Sequence, residues 1–107
     1  MRNYKINILG TQYEIVEDAG LRRTGFDGLC RNYGKTLQVR DSTDMLDQDA
    51  TEDEKRIRYK ETVRHELVHA FFFESGLDEY CENEQLVSWI AIQFPKMLKV
   101  FQEAECM

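Results

Sequence analysis

Residues 51–76 read T-E-D-E-K-R-I-R-Y-K-E-T-V-R-H-E-L-V-H-A-F-F-F-E-S-G, and the stretch is legible as one long helix. Thr51 with Glu54 three positions later makes a capping box. Glu52, Asp53 and Glu54 gather where the helix dipole favours negative charge. Gly76 supplies the C-terminal stop. Ile57, Arg64, Leu67, Val68 and Phe71 mark a stripe at helical spacing. Val63, Ala70 and the Phe71-Phe72-Phe73 run widen it, so the second half is expected to be buried nearly all round.

Inside this helix lies His65-Glu66-Leu67-Val68-His69, which holds the only two histidines of the chain. Positions four apart on a helix share a face, one turn apart. Two imidazoles so placed can bind one metal ion, and zinc is the usual occupant. Glu66, a step of roughly 100° round the helix, can reach a water on the open side of the metal and act as general base.

Ahead of the helix, Asp41, Asp44, Asp47 and Asp49 lead into the acids of the first turn as a solvated connection. They lack the central Gly and closing Glu of an EF-hand, which argues against a calcium loop. The front of the chain reads as sheet. Tyr4, Ile6 and Ile8, then Tyr13 and Ile15, alternate with polar residues about a turn at Leu9-Gly10-Thr11-Gln12, predicting a hairpin over 3–18. Residues 19–28 carry Gly20, Gly25 and Gly28 and read as a loop. A second hairpin spans 28–32 and 36–40 about Asn32-Tyr33-Gly34-Lys35, with Leu37 and Val39 on its core face.

Behind the helix, 76–81 reads as a short loop. A last helix starts near Glu82 to Glu84. Its stripe of Leu86, Val87, Ile90, Ala91, Phe94, Met97, Leu98 and Phe101 holds the helical period through Pro95, which implies a kink or two abutting helices. This stripe is expected to be core, and residues 103–107 a frayed tail. The sum is a single α+β domain over 1–107: a small, mostly antiparallel sheet packed on the motif helix and a kinked C-terminal helix.

Composition bounds the function. With 20 acids against 14 bases, a formal charge of −6 and no basic run, a nucleic-acid partner is not expected. No signal peptide is readable. No apolar run approaches the ~20 residues of a membrane span. Cys30, Cys81 and Cys106 are an odd, scattered set that suits a reducing compartment, so a cytoplasmic protein is expected.

Catalytic zinc usually takes three protein ligands and a water. A third histidine does not exist, so the third ligand must be a carboxylate or Cys81. Glu74 lies on the motif helix beyond His69 and would have to fold back; Glu103 and Glu105 lie in the tail. Asp78, Glu79, Glu82, Glu84 and Cys81 remain. Glu84 borders the apolar stripe beside Val87, Ser88 and Ala91, and Glu82 has a similar claim through Leu86.

Asn83-Glu84-Gln85-Leu86-Val87-Ser88, together with the H-E-x-x-H stretch, resembles the gluzincin pattern, in which a second helix carries N-E-x-x-x-[S/D]. The spacing and chain length are similar to minigluzincins and to the compact ImmA/IrrE-type metallopeptidases of phages and mobile elements. The resemblance implies a minimal zincin-like fold and one zinc ion on His65, His69 and Glu84. It implies Ser88, in place of the commoner Asp, as support for a ligand histidine. It also implies hydrolysis of a peptide bond by zinc-bound water with Glu66 as base, on a protein or peptide substrate extended along the edge strand. A repressor or other regulatory protein is the substrate by analogy. Larger gluzincins add a distant His or Tyr as oxyanion donor; Tyr80 is the first candidate here, with Tyr33 and Arg64 behind it. Two other readings compete. One is a non-catalytic zinc-binding regulatory or interaction protein, for which Cys81 as a fourth ligand would be the mark. The other is a latent peptidase whose tail blocks the site, for instance through Cys106.

Overall fold

The structure is a computed structural model that describes residues 3–17, 21, 26–41 and 49–107. Most of the glycine loop at 19–28 and half of the acidic connection at 41–54, including Gly20, Gly25, Asp44 and Asp47, lie outside the described residues. Four strands form one mixed sheet: β1 (Asn3–Ile8), β2 (Thr11–Glu17), β3 (Gly28–Arg31) and β4 (Thr36–Val39). Three helices follow: α1 (Glu52–Glu74), α2 (Asp78–Cys81) and α3 (Glu84–Glu103).

The alternation of apolar residues makes both hairpins, as expected. Leu9 and Gly10 both take positive φ (51° and 95°), so a two-residue turn matches the twist of β1 and β2, and Thr11 and Gln12 belong to the strand rather than the turn. The strand order is β1-β2-β4-β3. The outer pairs are antiparallel, while β2 and β4 join the two hairpins in parallel, with Ile15 opposite Leu37. Period two then places Tyr13, Ile15, Leu37 and Val39 on one face, where they and Ile8 are fully buried. Arg40 is buried too, and its Nη2 donates to the carbonyls of Leu21 (2.5 Å) and Phe26 (2.8 Å). It thereby ties the chain ahead of β3 to the end of β4.

Helix α1 lies across that face. Its N-cap is Thr51, whose Oγ1 accepts from the Glu54 N–H at 3.2 Å. At the other end, the amides of Gly76 and Leu77 donate to Phe73 and Phe72 while Gly76 takes φ +74°, which closes the helix with a Schellman turn. The stripe that meets the sheet is Tyr59, Val63, Leu67 and Ala70. This corrects the expectation of all-round burial. Only Glu66 and Ala70 of α1 are buried, Ile57 and Phe71 are exposed, and the Arg64–Val68–Phe71 side faces α3. A four-stranded sheet of short strands covers one face of a helix, not its circumference.

The segment expected as a loop at 76–81 contains one helical turn, α2. Asn83 then caps α3, its side chain accepting from the Leu86 amide at 3.0 Å. Helix α3 continues through Pro95 as one helix rather than two. Proline has no N–H to give the carbonyl four residues back, at Ala91. Arg64 on α1 donates to that carbonyl instead, Nε to O 2.6 Å. Only Val87 and Ala91 of α3 are buried. The expected core stripe therefore holds for the first half of the helix and fails for the second, where Phe94 and Phe101 are exposed.

Candidate metal centre

Three side chains converge where α1 and the start of α3 meet the edge strand β3. His65 Nε2 lies 2.9 Å from Glu84 Oε2, and His69 Nε2 lies 2.9 Å from Glu84 Oε1. The two Nε2 atoms are 3.2 Å apart. A zinc ion bound tetrahedrally at about 2.0–2.2 Å separates its ligand atoms by roughly 3.3 Å, so the three donors already stand near the spacing of one coordination sphere. Among the described residues these three are the group that could hold an ion.

The far sides of the imidazoles set their tautomers. His69 Nδ1 faces the Cys81 carbonyl at 2.5 Å. A carbonyl only accepts, so Nδ1 carries the proton and the Nε2 lone pair points into the triad. Ser88 Oγ lies 3.4 Å from His65 Nδ1, a longer contact, beside a histidine as the family resemblance implies. Burial holds the His65 pKa below its ordinary value, outweighing the Glu84 carboxylate that pulls it up. That favours the neutral ring, the form that binds metal.

Glu66 is buried, with 6% of its surface exposed. Burial, and then the charge of Glu84, push its pKa up to about 8. Its carboxylate lies under the first residue of β3. A Cβ on Gly28 would sit 2.8 Å from Glu66 Oε2 and 2.7 Å from Thr62 Cγ2, so only glycine lets the edge strand come this close. Two clefts open on either side of this point, both lined by Phe26, Gly28, His65 and Glu66. One, of about 280 Å³, runs past Thr62, Ala91 and Ile92. The other, of about 430 Å³, runs past Cys30, Asn32, Cys81 and Glu82.

The chain was compared with protein-family models, with curated proteins and with solved structures. It matches none of them. What can be said of the centre rests on its own geometry.

Of the alternative ligands, neither Glu82 nor Cys81 joins the triad. The Cys81 thiol lies behind His69 and donates to its backbone carbonyl at 3.2 Å; what Cys81 contributes is its own carbonyl. The oxyanion candidates are not brought together with the triad. Tyr80 is half exposed and packs on Phe72, ring centroids 5.9 Å apart, and it lines neither cleft. Tyr33 packs edge-on against Phe73. Arg64 is engaged with Ala91. Cys106 is exposed at the far end of α3, where its thiol meets the Phe101 carbonyl. Residues near the centre that sequence reasoning passed over are Gly28, Asn32 and the Cys81 carbonyl. A glycine opening a strand is a readable sign of close backbone approach; a backbone carbonyl leaves no trace in the residue type.

Proposed function

We propose that this chain is a zinc-dependent metallopeptidase of the zincin type, acting on a protein or peptide held extended along β3. The observation that carries the reading is the convergence of His65, His69 and Glu84 beside a buried carboxylate, Glu66, that faces open clefts. A closed structural zinc site uses four protein donors. Among the described residues no fourth joins these three, which favours a site with an open position over a purely structural one.

A zinc ion bound there supplies Lewis acidity, lowering the pKa of a water and polarising the scissile carbonyl. Everything else is done by the chain. Glu66 accepts the proton of the attacking water and delivers it to the leaving amine. Ser88 and the Cys81 carbonyl hold the imidazoles in orientation. Among the described residues β3 pairs with β4 alone, and its other edge can add a substrate strand by main-chain hydrogen bonds. Exposed Phe26 and Ile92 line the smaller cleft and give it an apolar rim.

Zinc content per chain, measured for the wild type and for Glu84→Ala, tests the centre. About one zinc in the wild type and its loss in the variant is expected. Cleavage of unstructured peptides by the zinc-loaded protein tests the activity. Glu66→Gln keeps the metal and loses about 10²–10⁴-fold in rate. A wild type that binds no zinc, or a Glu66→Gln variant that still cleaves at full rate, would sink the reading.

A further inference from the structure

The smaller of the two clefts at the metal centre carries its charges unequally. It has about 280 Å³ and runs from His65 back along α1 past Thr62, Glu61 and Arg58. That is just below the ~300 Å³ at which drug-sized ligands begin to fit, so it suits one long side chain. Arg58 is already engaged. Its Nε donates to Asp27 Oδ2 at 2.6 Å, and Asp27 is nearly buried, with Arg40 against its other oxygen at 3.3 Å. Among the described residues that line either cleft, Arg58 is the one Lys or Arg.

Glu61 differs from Asp27. It is half-buried, and among the described residues it makes no hydrogen bond or ion pair. At about 100° per residue it falls on the Arg64–Val68 side of α1, so it stands toward α3, where Ala91 and the exposed Ile92 line the same cleft. Exposed Phe26 lines it from the chain ahead of β3. Apolar walls with an unpaired carboxylate among them match one kind of side chain, an aliphatic stem that ends in a cation. Glu61 also precedes His65 by one turn, about 6 Å along the axis. A residue next to a bond held at the metal would bring the tip of its side chain, not its backbone, to Glu61. An α-amino group there would leave the apolar walls unfilled. The chain as a whole carries −6, which favours the approach of a cationic segment.

We propose that this cleft binds a lysine or arginine side chain of the substrate and that Glu61 selects it. The substrate class is a protein segment with a basic residue beside the bond that is cut. Placing that residue beside a cut bond rests on the peptidase reading above; the preference of the cleft for it does not.

Two measurements keep these apart. In the first, N-acetylated peptides that differ in one residue (Arg, Lys, Gln or Glu) are offered to the zinc-loaded wild type and the cut sites are mapped. Arg or Lys at one fixed position beside the cut is expected to be preferred over Gln by about tenfold. Glu61→Gln removes the preference and Glu61→Lys turns it toward Glu, with zinc and helix content as in the wild type. In the second, Glu66→Gln as isolated is titrated with the same peptides and read by fluorescence anisotropy, so that no cleavage is required. The Arg and Lys peptides should bind about tenfold tighter than the Gln peptide, and Glu66→Gln/Glu61→Gln should bind all three alike. Cleavage with no basic preference, or a preference that survives Glu61→Gln, overturns the proposal and leaves the peptidase reading standing. A wild type that cuts nothing while Glu66→Gln binds the basic peptides through Glu61 sinks the peptidase reading and upholds the cleft. Absence of any basic preference in binding overturns the proposal. So does a preference found only in peptides with a free amino terminus, which would assign Glu61 to an α-amino group.

Discussion

Glu66 and Glu74 are carboxylates on the same face of one helix, eight residues and about 12 Å apart, and they are handled in opposite ways. Glu74 accepts from Lys35 Nζ (2.7 Å), Tyr13 OH (2.6 Å) and Thr11 Oγ1 (2.8 Å). Those bonds, Lys35 first, hold its pKa down to about 2. Glu66 is buried under β3, and burial pushes its pKa up to about 8. One carboxylate fastens α1 to the sheet; the other lies buried beside His65, His69 and Glu84. On the proposed reading, two titrating groups pushed apart by their surroundings let one helix separate a structural task from a chemical one.

The sharpest way to break that comparison is to neutralise each in turn. Glu66→Gln is expected to remove about 10²–10⁴-fold of peptide cleavage while leaving the thermal midpoint unchanged or higher, because a buried carboxylate costs stability. Glu74→Gln should do the reverse, lowering the midpoint while zinc content and turnover stay. Melting curves and initial rates on the same preparations decide it. A Glu66→Gln protein that melts well below the wild type would show that both residues serve the fold.

Gly28→Ala comes next. Its Cβ would press on Thr62 Cγ2 and Glu66 Oε2, and overpacking of this kind costs about 1–3 kcal/mol. Denaturant unfolding measures it. Thr62→Ser removes the methyl but keeps the hydroxyl that donates to the Arg58 carbonyl, so it should recover part of the loss. Ser88→Ala is smaller. Its contact to His65 is 3.4 Å, so the expected loss is about tenfold in zinc affinity, the low end for an orienting group. Competition with a chelator reads this directly, and an unchanged affinity would remove Ser88 from the centre.

The legible parts of this molecule were local. Alternation at Tyr4–Ile8 and Thr36–Val39, the cap at Thr51 and the stop at Gly76 are short-range signals, and the small α+β fold follows from them. His65, His69 and Glu66 were readable because helix geometry alone relates them. Glu84 was selected by its neighbours Asn83 and Ser88, and the structure brings it to the two histidines. The parts misread were those where distant segments choose. Helix α1 carries apolar residues on two sides, and its sequence does not say that Tyr59 and Val63, rather than Ile57 and Phe71, meet the sheet. The period of α3 announces a helix but not what lies against it, so Phe94 and Phe101 were expected in a core that ends at Ala91. Tyr80 sits one residue from Cys81, whose carbonyl serves His69, yet its ring points at Phe72. Closeness along the chain does not fix direction.

The smallest effect lies in the acid range, and its sign follows from the direction of one shift. A free glutamate titrates near 4.5 and Glu74 in the folded chain near 2. The unfolded state therefore binds the proton first as pH falls. The stabilisation from this residue is fully present above about pH 4.5 and drains away between about 4.5 and 2. Unfolding free energies of wild type and Glu74→Gln should accordingly run parallel above pH 4.5 and converge below it, because the glutamine has no proton to gain. A gap that persisted unchanged to pH 2 would mean that Glu74 acts through packing rather than charge. The contrast with Glu66 would then be one of position along α1 alone.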